Sequence, residues 1–261
     1  FTKKSVNIKK FNIHLCVNNS KVLLGIPVYN CEKQILRVIH KIRNFTYLNN
    51  IYEIIVVDNI SNDNTLAASI NALKDFNIKY NVIQNTTNIN LGGSHKIIFN
   101  YAIKNNYDFL VLIHGDDQAD INDFKNIFQN KTYLEYDWIR GSRFSKKSKL
   151  IGYSKIKTFG NLFFNLVFSI ILKKKIEDIG SGLDMYSVKM LKKNNYYDFP
   201  NKLTFDYFMI LYLIKNNAKL KFYPITWREE DQVSNVKIFR QTKPIATRIS
   251  NALAFLLLIF F

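Results

Sequence analysis

His114, Asp116 and Gln118 stand at alternate positions in the stretch Phe109-Leu-Val-Leu-Ile-His114-Gly-Asp-Asp-Gln118. At that spacing an imidazole nitrogen, a carboxylate and an amide oxygen can point the same way and converge on one cation. Oxygen donors suit Mg²⁺ or Mn²⁺, and the histidine nitrogen shifts the preference slightly toward Mn²⁺. Asp117 adds a second carboxylate presented with the others. A plain polar turn accounts for the same letters, since Gly and Asp are common turn residues, and this stretch alone leaves both readings open. Further polar clusters sit between apolar segments: Asp58-Asn59, Arg140-Gly-Ser-Arg143, Asp178-Ile-Gly-Ser181-Gly182, Phe205-Asp206-Tyr207 and Trp227-Arg228-Glu-Glu-Asp231.

Positioning such groups is the task of the elements around them. Phe109 to Ile113 is a short apolar run that reads as a strand buried on both faces of a parallel sheet. Its polar continuation then falls at the carboxyl end, where open α/β sheets bind their ligands. The chain before it alternates in the same way. Val22 to Ile26 is a strand closed by Pro27, and Ile35, Leu36, Val38, Ile39 and Ile42 mark a helical face. Glu53 to Val57 is a second strand, and Asn62 to Thr65 caps a helix running through Leu73. Tyr80 to Gln84 is a third strand, and Gly92-Gly93 opens a helix through Ile103. Strands alternating with helices predict a doubly wound, mostly parallel α/β sheet. Neither the dinucleotide G-x-G-x-x-G nor the phosphate-loop G-x-x-x-x-G-K-[ST] is present.

After residue 120 the regular alternation breaks down. Trp138 to Arg143 reads as a short strand and basic turn. Leu162 to Leu172 is apolar almost all round and lies between Lys155 and Lys157 on one side and Lys173-Lys174-Lys175 on the other. It fits a helix lying at a membrane surface, and equally a core helix with solvated ends.

The 261 residues suffice for one large domain or two small ones with a sizeable core, and 48% hydrophobic residues argue against disorder. Thirty-seven Lys and Arg against 20 Asp and Glu give a formal charge of +17, which calls for an anionic partner. No zinc-finger spacing or RNA-recognition signature supports a nucleic acid in that role. Cys16 and Cys31 are too few for a disulfide framework, so a reducing compartment is expected. The apolar run from Ala252 to Phe261 supplies about ten of the roughly 20 residues a membrane crossing needs. It reads as the first part of a membrane helix or as a buried terminal helix.

Taken together, the polar motifs resemble those of the family 2 glycosyltransferases, most closely the dolichol-phosphate mannosyltransferases and bacterial polyprenyl-phosphate glycosyltransferases. Gly25-Ile-Pro-Val-Tyr-Asn30 is similar to the opening P-x-Y-N, and Ile54 to Thr65 to V-V-D-D-G-S-x-D-x-T. Asn90-Leu-Gly-Gly93 is similar to the N-x-G region, and His114 to Gln118 takes the place of D-x-D-x-Q. The resemblance implies a GT-A fold over residues 21–238, with a nucleotide-sugar half at 21–119 and an acceptor half at 120–238. An arm at 1–20 and a juxtamembrane segment at 239–261 would flank it, the latter anchoring the chain at the cytoplasmic face of a membrane. It further implies that Pro27, Tyr29, Glu32, Asp58 and Gly93 surround a UDP- or GDP-linked sugar, and that Asp116 and Gln118, with His114, hold Mg²⁺ or Mn²⁺. Gly141-Ser-Arg143 resembles a G-[ST]-R turn that makes Arg143 a phosphate clamp. Asp178-x-x-Ser181-Gly182 resembles the D-x-x-[ST]-G acceptor motif, and Ser234 and Lys237 lie in an S-x-x-K region that brings another cation to the phosphates.

Four positions depart from the family pattern: His114 for the first metal aspartate, Asn59 for the second aspartate of D-D, Asp184 where an arginine is frequent, and Cys31 in place of a glutamate. No Q-x-x-R-W of processive polymerases occurs. The expected activity is metal-dependent, inverting transfer of a sugar to a membrane-associated acceptor, polyprenyl phosphate first. Alternatives are a hydroxyl of a polysaccharide or lipid-linked glycan, which would need Asp178, Asp206 or Asp231 as base, a nucleotidyltransferase, or a catalytically silent binding module.

Overall fold

The apolar runs of the first half of the chain form the parallel strands that their composition predicts. The computed structural model describes residues 20–231. In chain order the elements are β1 (Val22–Val28), α1 (Glu32–Arg43), β2 (Ile51–Asp58), α2 (Thr65–Leu73), β3 (Lys79–Gln84), α3 (Asn90–Lys104), β4 (Phe109–Ile113) and α4 (Lys125–Gln129). They continue with β5 (Trp138–Ser142), β6 (Lys149–Ile151), α5 (Lys155–Leu172), β7 (Leu183–Ser187), α6 (Val188–Lys192), α7 (Phe205–Lys215), β8 (Leu220–Pro224) and β9 (Thr226–Arg228).

Seven strands make one sheet in the order β3-β2-β1-β4-β7-β5-β8. Only β7 runs against its neighbours, β4 and β5. The loss of alternation after residue 120 therefore does not mark a new sheet. β7, β5 and β8 extend the first one; the 18-residue helix α5 precedes β7, and α7 leads into β8. β6 and β9 form a separate two-stranded ribbon.

Each sheet face carries its own apolar layer, because residues alternate faces along a strand. Leu24, Ile26, Val56 and Val111 pack with Ile35, Val38, Ile39 and Ile42 of α1. Leu23, Ile55, Val57, Leu110 and Leu112 pack with Ile98 and Phe99 of α3 and with Met209, Ile210 and Leu213 of α7. Burying each such side chain contributes roughly 1.5–3 kcal/mol, and coverage on both faces explains why β1 is apolar almost throughout. The 1–20 arm up to residue 19, Cys16, Ser234, Lys237 and the 239–261 segment lie outside the described residues.

Candidate active site

β1 lies between β2 and β4, and the helices that lead to those strands, α1 to β2 and α3 to β4, cover opposite faces of the sheet, so a crevice opens at the carboxyl ends of these strands. The turn after β4 is pinned across that crevice. His114 N donates to Gly182 O at 2.9 Å, and Gly115 N donates to Pro27 O at 3.0 Å. Asp117 takes a left-handed φ of +61°. The resulting turn leaves His114, Asp116 and Gln118 partly exposed and buries Gly115, Asp117 and Ala119. The three alternate residues thus face out together.

Asp117 does not join them, contrary to the expectation from sequence. Its carboxylate is buried and turned inward, where Arg37 Nε and Lys41 Nζ of α1 donate to it, each at 2.6 Å. The left-handed backbone at this residue reverses its side chain relative to its neighbours. Asp117 clamps the turn to α1.

His114 has one ring nitrogen committed. Its Nε2 lies 3.1 Å from Nε2 of His95, a fully buried residue of α3. Burial, helped by the neighbouring His114 and Arg140, holds His95 well below the ordinary histidine pKa and keeps it neutral. His95 Nδ1 in turn faces Asp206 Oδ1 at 3.9 Å, and neither atom has a hydrogen-bond partner of its own. His114 is therefore the outer end of a buried His–His–Asp line. Its Nδ1 edge lies against Gly182, where a Cβ would come within 2.9 Å. That edge is all His114 retains for a ligand.

Asp116 and Gln118 fit a hard divalent ion. Asp116 Oδ1 accepts from the Gln118 backbone at 3.2 Å, and both residues are partly exposed. Burial raises the Asp116 carboxyl above its ordinary value, with His114 and the Gln118 N–H opposing the shift. No cluster of three or more His, Cys, Asp or Glu side chains suited to a metal occurs among the described residues. The donor set matches Mg²⁺-type sites, where one or two protein oxygens hold the ion and substrate phosphates complete its shell.

Pro27 and Asp58 are buried at the carboxyl ends of β1 and β2, and Tyr29, just after β1, is partly exposed. Asp58 is fully buried and accepts from Ser61 Oγ at 2.5 Å and from Gln84 Nε2 at 2.9 Å. Glu32 accepts from Asn64 N at 3.3 Å, tying the loop after β1 to the one after β2. Asn59 has a structural reason for replacing an aspartate. Its amide donates to Asn88 Oδ1 at 2.9 Å and accepts from Ile89 N at 2.9 Å, and a carboxylate could not do the first. Gly93 is buried in the first turn of α3, where a Cβ would lie 2.8 Å from Ile89, so packing accounts for this glycine. Cys31 is buried, and that burial pushes its thiol up to about 12.

Across the crevice Arg143 and Asp178 form a buried, two-pronged ion pair. Arg143 Nε and Nη2 donate to the two Asp178 oxygens at 2.8 and 2.7 Å, and Arg143 N adds a third bond at 2.8 Å. Burial alone would raise the Asp178 carboxyl, but the guanidinium charge and these bonds hold it below its ordinary value. Asp184 and Asp206 converge on the fully buried Arg140 from β5, at 3.2 and 3.0 Å. Asp184 also accepts from Trp138 Nε1 at 2.9 Å. Arg140 and Asp184 sit opposite each other on the neighbouring strands β5 and β7. Asp231 pairs at 2.9 Å with Arg37, and Arg228 with Glu230 at 2.9 Å.

Residues 24–194 match the family model described as glycosyl transferase family 2. The chain belongs to that family. A UDP-N-acetylglucosamine–dolichyl-phosphate N-acetylglucosaminyltransferase of Methanococcus voltae is 26% identical over 186 residues, which cover 66% of this chain and 71% of that one. S. aureus TarS 1-349 has the same fold at a TM-score of 0.58 and 20% identity, covering 80% of this chain and 60% of its own. The chain thus spans less than two thirds of that solved protein. Glucosyl-3-phosphoglycerate synthase from Mycobacterium tuberculosis, in complex with Mn²⁺, UDP and phosphoglyceric acid, superposes at a TM-score of 0.64 and 14% identity, covering 88% and 78%. These likenesses identify the seven-stranded sheet of this glycosyltransferase as GT-A.

Sequence reading assigns no role to two residues buried here, His95 and Arg140: His95 stands between Ser94 and Lys96 in the polar first turns of α3, and Arg140 opens the polar cluster that runs to Arg143.

Proposed function

We propose that this family 2 glycosyltransferase moves a sugar from a nucleoside-diphosphate donor, a UDP-sugar first, to a membrane-associated lipid phosphate of the polyprenyl type. The observation that carries this reading is the state of the three carboxylates available as a base. Asp178 is held through both oxygens by Arg143 in a buried pair, Asp206 through one oxygen by Arg140, and Asp231 pairs with Arg37 at the surface. A hydroxyl acceptor needs a base to take its proton. A phosphate acceptor is already anionic and needs only to be held in line with the donor. The dolichyl phosphate in the name of the Methanococcus voltae relative agrees with this choice.

In this reading residues 21–119 hold the donor, with Pro27, Tyr29 and Asp58 around its base and ribose, and residues 120–238 hold the acceptor. Asp116 and Gln118 hold Mg²⁺ or Mn²⁺, which when bound stabilises the charge that develops on the departing nucleoside diphosphate. Arg143, kept cationic by Asp178, faces the phosphates. An acceptor phosphate oxygen forms the new bond to the anomeric carbon as the bond to the diphosphate breaks on the opposite face, which inverts the configuration. His95 and Gly182 keep the His114 ring at the edge of this space.

The test is incubation with UDP- and GDP-sugars and a short-chain polyprenyl phosphate, with Mn²⁺ or Mg²⁺ and an EDTA control. A lipid-linked sugar formed only with metal supports the reading. Transfer to glycan hydroxyls with none to the lipid phosphate refutes it.

A further inference from the structure

Helix α5 inverts the usual arrangement of an amphipathic helix. Ile156, Phe159, Phe163, Leu166 and Ile170 recur at spacings of three and four and so share one face. That face points away from the domain, with Ile156 84%, Phe159 75% and Ile170 68% exposed. The inward face holds Asn161, Asn165 and Phe168, the last two buried.

We propose that this stripe is a docking surface for an anionic lipid bilayer, on which α5 lies flat. Charge complementarity identifies the occupant. Exposed Lys146, Lys147 and Lys149 precede the helix, and exposed Lys155 and Lys173-Lys174-Lys175 stand at its two ends. A groove of about 550 Å³ along one flank combines Leu162, Leu166 and Phe144 with Lys146, Lys173 and Lys174. Apolar side chains ringed by lysines fit the boundary between acyl chains and anionic headgroups.

By length and composition α5, with a mean hydropathy of 1.3 over 18 residues, could also cross a bilayer. Its attachments exclude that. Lys157 near its start pairs with Glu229 at 2.5 Å. Toward its end Asn165 donates to Glu177 O at 2.7 Å and accepts from Ile179 N at 3.2 Å. Both ends thus belong to one side of one domain, whereas a crossing helix would put them on opposite faces of the membrane.

The same attachments join the docking face to the candidate active site. Asn165 brackets Asp178 from both sides, and Asn161 Oδ1 accepts from Arg143 Nη2 at 3.3 Å. Seating α5 among headgroups brings the Arg143–Asp178 pair to the level of lipid phosphates. The docking stands independently of the proposed transfer, and only this last link rests on it.

The experiment uses the whole chain with Phe159→Trp as a reporter, since Trp138 and Trp227, the two native tryptophans, are both buried. Phosphatidylglycerol–phosphatidylcholine vesicles are expected to shift its emission to the blue, and brominated acyl chains to quench it, with a much smaller change on phosphatidylcholine alone. In cosedimentation, Lys173→Ala with Lys174→Ala should weaken binding about 25-fold at low salt, about fivefold per lysine. Ile156→Ser with Ile170→Ser should weaken it about tenfold or more. Turnover of a water-soluble short-chain acceptor by the serine variant should stay at the wild-type level while turnover of vesicle-borne acceptor falls. An emission unchanged by anionic vesicles overturns the proposal. So does a stripe found covered by a second copy of the chain or by its own 252–261 segment, read as a reporter already blue-shifted and shielded without lipid. Absence of turnover on both acceptors, with the emission shift intact, would count against the transfer reading and leave the docking standing.

Discussion

Asp116 is the residue on which the chemistry turns, since it is the carboxylate in the 114–118 stretch that faces the crevice. Asp116→Asn keeps the size and the bond to Gln118 N but removes the charge, so the fold should persist and transfer should fall by about 10²–10³ or more. Turnover, Mn²⁺ binding and a thermal melt of the variant check this, and near-normal turnover would refute the assignment. Gly182→Ala probes the other edge of the site. Its methyl would sit 2.9 Å from His114 Nδ1, and the ring cannot retreat without losing His95. The expected outcome is a drop of about tenfold or more in kcat/KM, since small displacements near the reacting groups are costly, with donor affinity nearly unchanged. Equal losses in donor binding and turnover would contradict that role for the glycine.

At the scale of elements, β5, β7 and the loop before β7 carry buried charge that must stay balanced. Asp178→Asn leaves Arg143 buried without a counter-charge and should destabilise the fold by about 3–5 kcal/mol in denaturant titrations. Replacing both partners together by Met and Leu should recover most of that stability without activity. Asp184 behaves differently. Burial, with Asp206 nearby and Arg140 opposing, raises its carboxyl to about 7. A folded-state value above the unfolded one means the native state holds the extra proton, so this contribution is full below the unfolded value near 4 and is lost as pH rises to about 7. Asp184→Asn keeps acceptors for Trp138 and Arg140 and removes the titration. Unfolding free energies measured across that window should flatten in the variant, and an unchanged slope would show that other groups set it. The parallel strands of the first half were legible because burial on both faces writes continuous apolar runs. The strands after residue 120 were legible only in part, since β5 and β7 carry polar residues that pair across the sheet, as Asp184 does with Arg140.

For the whole molecule, order along the chain carried more than any one motif. Polar clusters that follow successive parallel strands fall at the same edge of the sheet, because parallel strands share their carboxyl ends, and that much of the arrangement was legible in sequence. The inward turn of Asp117 was not, because it depends on a left-handed backbone and on two cations from α1. Nor was the His114–His95 contact, which joins residues of two elements that packing alone brings together. The exposure of α5 was equally hidden: an apolar helix reads the same whether its partner is a core or a bilayer. The most direct check of the functional account is transfer from a UDP-sugar to short-chain polyprenyl phosphate by the wild-type chain with Mn²⁺, beside EDTA and Asp116→Asn. The account predicts a lipid-linked sugar with metal and none in either control. Product formed equally in EDTA, or sugar delivered only to hydroxyl acceptors, would contradict it.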